Sequence, residues 1–182
     1  MTCRRQPVLQ HLTATFPLHQ YRLWKKTLLH VWKSENRRSL SPLFAAVAYR
    51  ALNEVFAAFG TAMPVVPIPP RPGKVRHTGW DQIAELCSHL RRGYGITLLP
   101  LLRRLSRTQQ KKLTRSGRLH ALGTTYTLSR HARRLQKLGV LPPAVVLIDD
   151  VLTTGATLET CAQVLKNAGV QCVYAITLFV VD

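Results

Sequence analysis

The 182-residue sequence predicts an α/β fold: a mostly parallel sheet flanked by helices, with an N-terminal helical segment. Two observations carry the prediction. Short apolar runs alternate with segments whose apolar residues recur at helical spacing, the pattern of strands that return through helices into a parallel sheet. The runs at 144–149 and 171–180 are also nearly continuous in apolar residues, as strands buried on both faces are.

In chain order, residues 1–20 read as an N-terminal arm and 21–182 as one domain, a size that suits a single core. In "YRLWKKTLLHVWK", Leu23, Trp24, Leu28, Val31 and Trp32 share a helical face, while Lys25, Lys26 and Lys33 fall on the opposite, solvated one. "SPLFAAVAYRALNEVFAAFG" opens with Ser41 as N-cap and Pro42 at the first helical position, and Gly60 closes it. "MPVVPIPP" is a short strand ending near Ile68, cut off by prolines. A basic connection leads to "WDQIAELCSHLRRG", a helix with Ile83, Leu86 and Leu90 inward and a stop at Gly93. "ITLLPLL" reads as a buried strand weakened by Pro100, and 103–120 as a polar, basic mobile loop. A strand in "TTYTL", a short basic helix over 130–138, a strand at 144–149, a helix over 155–168 and a strand at 171–180 complete the chain.

Composition bounds the function. No apolar run reaches the roughly 18–20 residues of a membrane span, and the N-terminus lacks an apolar stretch long enough for a secretory signal. The expectation is a cytoplasmic protein without membrane insertion. The cysteines, at 3, 87, 161 and 172, form no CxxC pair and read as reduced. Charge is the unusual feature: Lys and Arg number 26 against 8 acids, a net +18. Residues 86–148 contain no Asp or Glu but 13 Lys and Arg. Such a single-sign stretch either attracts polyanions or small phosphates or is simply a solvated basic face.

"VVLIDDVLTTGATLETCAQVL", residues 145–165, carries the chemistry. Asp149 and Asp150 stand at the carboxyl end of a predicted parallel strand, where ligands of open α/β sheets bind. The turn after them enters a helix whose first N–H groups lack intrahelical partners and form an anion site with the helix dipole. Gly155 lets the backbone approach closely, and Thr153, Thr154 and Thr157 add hydroxyl donors. A phosphate cradle beside two acceptors of sugar hydroxyls suits a phosphorylated sugar. Neither a Walker loop nor a GxGxxG occurs.

Four apolar residues, Asp-Asp, an apolar residue and then Thr-Thr-Gly-Ala-Thr resemble the phosphoribosyl-pyrophosphate (PRPP) motif of type I phosphoribosyltransferases. The resemblance implies that Asp149 and Asp150 hold the ribose 2′- and 3′-hydroxyls. Thr153, Thr154, Gly155, Ala156 and Thr157 would wrap the 5′-phosphate, and Mg²⁺ would arrive with the ligand rather than on protein ligands. "VPIPPRPGKVRHTGWDQ" is similar to a segment of the ComF/GntX family of competence-associated proteins. "LLHVWK" resembles that family's lysine segment at Lys33. Gln110, Leu113 and Arg118 match its QxxLxxxxR element. The sequence departs from the family at Thr78, Trp80, Asp81, Gly117 and Ala121. The family's preceding zinc ribbon has no counterpart beyond Cys3, so no zinc is expected, whether through loss or a start further upstream.

Two functions follow from the resemblance. As a ComF-type protein the chain would bind PRPP and handle single-stranded DNA during DNA uptake in natural transformation, alongside uptake-machinery proteins. Arg103, Arg104, Arg107, Lys111, Lys112, Arg115 and Arg118 would meet phosphates, and Trp80, Tyr94 or Tyr126 would stack on bases unless they are core. As an active transferase it would displace pyrophosphate from Mg-PRPP, with Arg71, Lys74 and Arg76 on the pyrophosphate side and 103–118 as a lid. No residue identifies an acceptor base. His77 and His120 lie in the two ligand loops. On either reading, replacing Asp150 by Asn should cost ligand affinity and leave folding unharmed.

Overall fold

The computed structural model describes residues 10–20, 24–105 and 125–181. Strand β1 (Ala14–Gln20) leads to helix α1 (Trp24–Ser34), a 3-10 turn (Arg38–Leu40), and helix α2 (Ser41–Phe59). Strand β2 (Val65–Pro67) is followed by a short helix α3 (Lys74–Thr78) and by α4 (Gln82–Tyr94). Strands β3 (Leu102–Arg104) and β4 (Tyr126–Leu128) precede α5 (Arg130–Lys137). The chain closes with β5 (Ala144–Leu152), α6 (Ala156–Asn167) and β6 (Cys172–Val180). The central sheet has the order β1-β6-β5-β2, all its pairs parallel, while β3 and β4 form a separate antiparallel pair. This is the α/β architecture expected, a mostly parallel sheet flanked by helices.

Burial explains the apolar runs. Val145, Val146, Leu147 and Ile148 in β5 are all fully buried, so both faces of the strand need apolar residues. Successive side chains alternate between faces. Val146 and Ile148 join Trp32, Phe44, Leu52 and Leu86 from α1, α2 and α4. Val145 and Leu147 join Leu158, Cys161 and Leu165 of α6, with Leu101 and Tyr126. Helices thus cover both sides of the sheet, and Asp149 and Asp150, near the carboxyl end of β5, direct one carboxylate to each layer.

Several sequence-based boundaries move. Residues 14–20, expected within the arm, pair with β6 from Ala14↔Tyr174 to Gln20↔Val180. Their short alternation hid an edge strand. Ser41 is the first residue of α2 and not its N-cap: the helix continues from Leu40, already in the right-handed helical region. The buried Ser41 hydroxyl instead accepts the Trp32 indole N–H at 2.9 Å. Helix α4 passes through Gly93 and stops at Gly95, whose φ of 67° makes the turn. The expected strand around 96–101 reduces to one parallel bridge, Val65↔Leu98. The chain then turns away at Pro100, which has no N–H to continue the ladder.

Candidate functional site

The site grows from the end of β5. Asp150 is 6% exposed and faces α1 and α4. Its Oδ2 accepts from the Lys33 ammonium at 2.7 Å and from the Gln82 side-chain amide at 2.7 Å. Lys33 stands in the last turn of α1, and the buried Gln82 opens α4. The chain of contacts continues outward. The Gln82 carbonyl accepts from the Lys74 ammonium, which lies 2.7 Å from Asp81 Oδ2. Asp81 Oδ1 caps α4 by accepting from Ala84 N–H at 2.9 Å. An ordered polar relay, Lys33–Asp150–Gln82–Lys74–Asp81, joins α1, α3 and α4 to the end of β5.

The two adjacent acids therefore differ. Burial raises the Asp150 carboxyl, but the Lys33 charge, its hydrogen bond and that of Gln82 outweigh burial and hold it below the usual carboxylate range. Asp149 accepts from the Asp150 backbone N–H at 2.9 Å and shares a side-chain hydrogen bond with the Asp150 carboxyl. Burial, then repulsion from Asp150, pushes it up to about 7. Asp149 faces the α6 layer, where burial and, to a lesser degree, its own field push the Cys161 thiol up; burial and a smaller Asp149 contribution likewise raise the Tyr126 hydroxyl. Burial, then Asp81, pushes Cys87 up to about 12, so both helix thiols behave as inert apolar groups.

Beyond β5 the chain makes the turn to α6. Thr153 and Thr154 are exposed, and Gly155 is buried with φ 75°, a left-handed conformation that side chains resist. Ala156 N–H meets Thr154 Oγ1 at 3.4 Å, and Thr157 hydrogen-bonds the Tyr126 side chain. The first-turn acid, Glu159, does not compete for the helix N-terminus. Its Oε1 accepts from Gln10 N–H at 2.9 Å and His11 N–H at 2.8 Å, and lies 2.6 Å from His11 Nδ1. Burial opposes ionisation of Glu159, but these His11 and Gln10 bonds lower its carboxyl. The result is a turn with exposed hydroxyls, a buried left-handed glycine at Gly155, and two carboxylates in the strand that leads into it. An anionic group bound to the turn would place an attached hydroxyl-bearing moiety near the carboxylates.

The remaining sequence candidates fall as follows. Arg71 and Arg76 are exposed, whereas Lys74 is engaged by Asp81 and Gln82. Arg103 is exposed, and Arg104 lies with its guanidinium 5.3 Å from the Tyr126 ring centroid. Arg107, Lys111, Lys112, Arg115, Arg118, His120 and Cys3 lie outside the described residues. Trp80 and Tyr126, considered for base stacking, are 5% and 4% exposed and belong to the core. Tyr94 stacks on Tyr49 at 4.2 Å. His77 is exposed.

Helical spacing put Lys33 on the solvated face with Lys25 and Lys26, yet the structure turns it onto Asp150. Gln82 closes the segment "VPIPPRPGKVRHTGWDQ" that carries the family resemblance, but neither spacing nor the resemblance gave it a role. The signal available was charge: a buried carboxylate demands a partner, and the end of α1 supplies a cation. Trp80 has a related role. Its indole N–H donates to Asn36, a non-glycine residue at φ 55°, and Arg38 sits 5.4 Å over its ring. The turn that follows Lys33 is thereby fastened to the segment before α4. The same contacts alter the expectation for Asp150→Asn: the carboxylate supports the fold as well as facing the turn.

Residues 143–181 match the family model described as a phosphoribosyl transferase domain. The match spans β5, the turn, α6 and β6, supports the type I phosphoribosyltransferase superfamily, and implies a phosphoribosyl ligand such as PRPP. No curated protein matches the chain. No helix among the described residues is long and apolar enough to cross a membrane.

Proposed function

We propose that the chain binds PRPP at the end of β5, as a ComF-type protein that also handles single-stranded DNA during uptake. The observation that carries the ligand is the buried, left-handed Gly155 between Asp150 and the N-terminus of α6. A side chain there would be strained by the left-handed backbone, and the helix that starts beside it offers unpartnered N–H groups of the kind a phosphate accepts. Residues Thr153, Thr154, Gly155, Ala156 and Thr157 would hold the 5′-phosphate, and Asp149 and Asp150 would accept from the ribose hydroxyls. Mg²⁺, carried by the pyrophosphate, would screen charge that the carboxylates otherwise repel. Thermal stabilisation by Mg-PRPP, weaker with ribose 5-phosphate and absent with pyrophosphate alone, is the direct test. No stabilisation at millimolar ligand would overturn the assignment.

The DNA part rests on the exposed charge. Arg103 pairs in register with Thr127, and Arg133 reaches the Thr127 hydroxyl at 3.4 Å. The basic edge of β3 thus runs into α5, where Arg130, Arg133, Arg134 and Lys137 are all exposed. Several exposed cations on β3 and α5, in a stretch of sequence without acids, suit a phosphodiester backbone. The alternative, an active transferase displacing pyrophosphate, needs free cations on the pyrophosphate side. Arg71 and Arg76 are exposed there, but Lys74 is already paired. Pyrophosphate release from Mg-PRPP across a panel of nucleobases and amines separates the two functions.

A further inference from the structure

We propose that Lys33 is a positioning residue for the phosphoribosyl site: the last turn of α1 sets the orientation of the carboxylate pair through Asp150. The inference rests on the ligand reading above and names a residue outside the turn and strand that bind. The geometry is specific. Lys33 Nζ and Gln82 Nε2 both meet the same oxygen of Asp150, each at 2.7 Å. A carboxylate oxygen offers about two lone-pair directions, so Oδ2 is committed to these two donors, and the same carboxyl also shares a side-chain hydrogen bond with Asp149. Gln82 cannot rotate freely, because Lys74 holds its carbonyl and Asp81 holds Lys74. Lys33 has no such backing: its side chain is 44% exposed while that of Asp150 is 9% exposed. It is the half of the pair that can respond to a ligand.

The neighbours of the two acids leave Lys33 as the cation in direct contact among the described residues. From α1 comes Lys33, and from α4 the neutral Gln82 with Asp81 and Lys74 behind it. From β4 and α6 come Tyr126 and Cys161, both neutral groups raised chiefly by burial, and Arg104 of β3 acts on those two. Removing Lys33 leaves two adjacent carboxylates with no contacting positive charge. The pair then retains a proton to higher pH, and Asp150 loses one of the two donors that fix its plane.

The test combines a ligand-free and a ligand-bound readout on wild type, Lys33→Met and Lys33→Arg. Carboxyl carbon NMR of the free proteins follows the Asp149 and Asp150 titrations, and calorimetry gives Mg-PRPP affinity at about pH 6.5 and about pH 8.5. Lys33→Met is expected to raise the Asp150 midpoint by about one unit or more and to weaken Mg-PRPP about tenfold, more at the lower pH. Lys33→Arg is expected to restore both, since it keeps the charge. A folded Lys33→Met protein with wild-type titration, or with wild-type affinity at both pH values, overturns the proposal. If Lys33→Met does not fold, the wild-type Lys33 amine signal decides: it must follow the Asp150 titration, and indifference overturns the proposal. Wild type that binds no Mg-PRPP instead overturns the ligand reading beneath it.

Discussion

Asp149 and Asp150 are neighbours in sequence and opposites in environment, and their substitutions should diverge. Asp149 titrates at about 7 in the fold against a usual 3.8. A raised carboxyl binds more protons folded than unfolded, so its stabilising share is present below about pH 4 and is lost as pH rises through 7. Asp149→Asn should therefore stabilise the protein by roughly 1–3 kcal/mol at about pH 8 and change little at about pH 3.5. Chemical denaturation at the two values measures this. Asp150 has the opposite sign: its lowered carboxyl contributes stability above the unfolded value and loses it only as the pH falls further through the folded one. Asp150→Asn should cost roughly 1–3 kcal/mol near neutrality, because it leaves Lys33 without its anion and weakens the Gln82 bond. A neutral or stabilising Asp150→Asn would show that the Lys33 contact carries no energy. The sequence made both acids visible as a ligand motif. It could not show that alternation along β5 sends them into different layers, one with a lysine and one with a tyrosine and a buried thiol.

At the scale of elements, strand and helix existence was legible wherever apolar period was strong. The buried run of β5 and the faces of α2, α4 and α6 are examples. What failed was local punctuation. Ser41 looks like a cap but serves Trp32, and Gly93 looks like a stop but lies two residues too early. Each hydroxyl or glycine has several uses, and tertiary contacts choose among them. Asp81 shows a double use that can be tested. One oxygen caps α4 and the other holds Lys74. Asp81→Asn keeps a good capping side chain, so it should change stability by less than about 1 kcal/mol, while Asp81→Ala should cost about 1–2 kcal/mol. The Asn variant should also loosen Lys74, and with it the Gln82 donor to Asp150, and weaken binding of Mg-PRPP. Equal losses in both variants would mean that the Lys74 pair, and not the cap, sustains α4. Gly155 belongs to the same scale, as the joint of β5 and α6. Gly155→Val should cost about 1–2 kcal/mol for its left-handed backbone and abolish ligand-induced stabilisation. Retained stabilisation by Mg-PRPP would place the phosphate elsewhere.

For the whole molecule, the excess charge is a property of surface and not of fold. The buried positions of both cores are overwhelmingly apolar, and the buried acid at the site is met by a lysine. Among the described residues, Arg71, Arg76, Arg91, Arg92, Arg103, Arg130, Arg133, Arg134 and Lys137 are exposed to solvent and to partners. If that charge is only a solvated face, binding to a polyanion should be weak and spread over the surface. If β3 and α5 form a phosphate track, the charge acts locally. Replacing Arg103, Arg130, Arg134 and Lys137 together by Ala distinguishes these cases, because all four are exposed and none lies in the phosphate turn. Each phosphate neutralised on a single strand contributes about −0.7 to the slope of log affinity against log salt, so the fourfold variant should flatten the slope by nearly ~3. Fluorescence anisotropy with an oligothymidylate over a salt series measures it, and the same variant should keep its thermal response to Mg-PRPP. A lower affinity with an unchanged slope would indicate a general loss of charge with no local track. Both slope and affinity unchanged would move the nucleic acid, if it binds at all, to another face of the molecule.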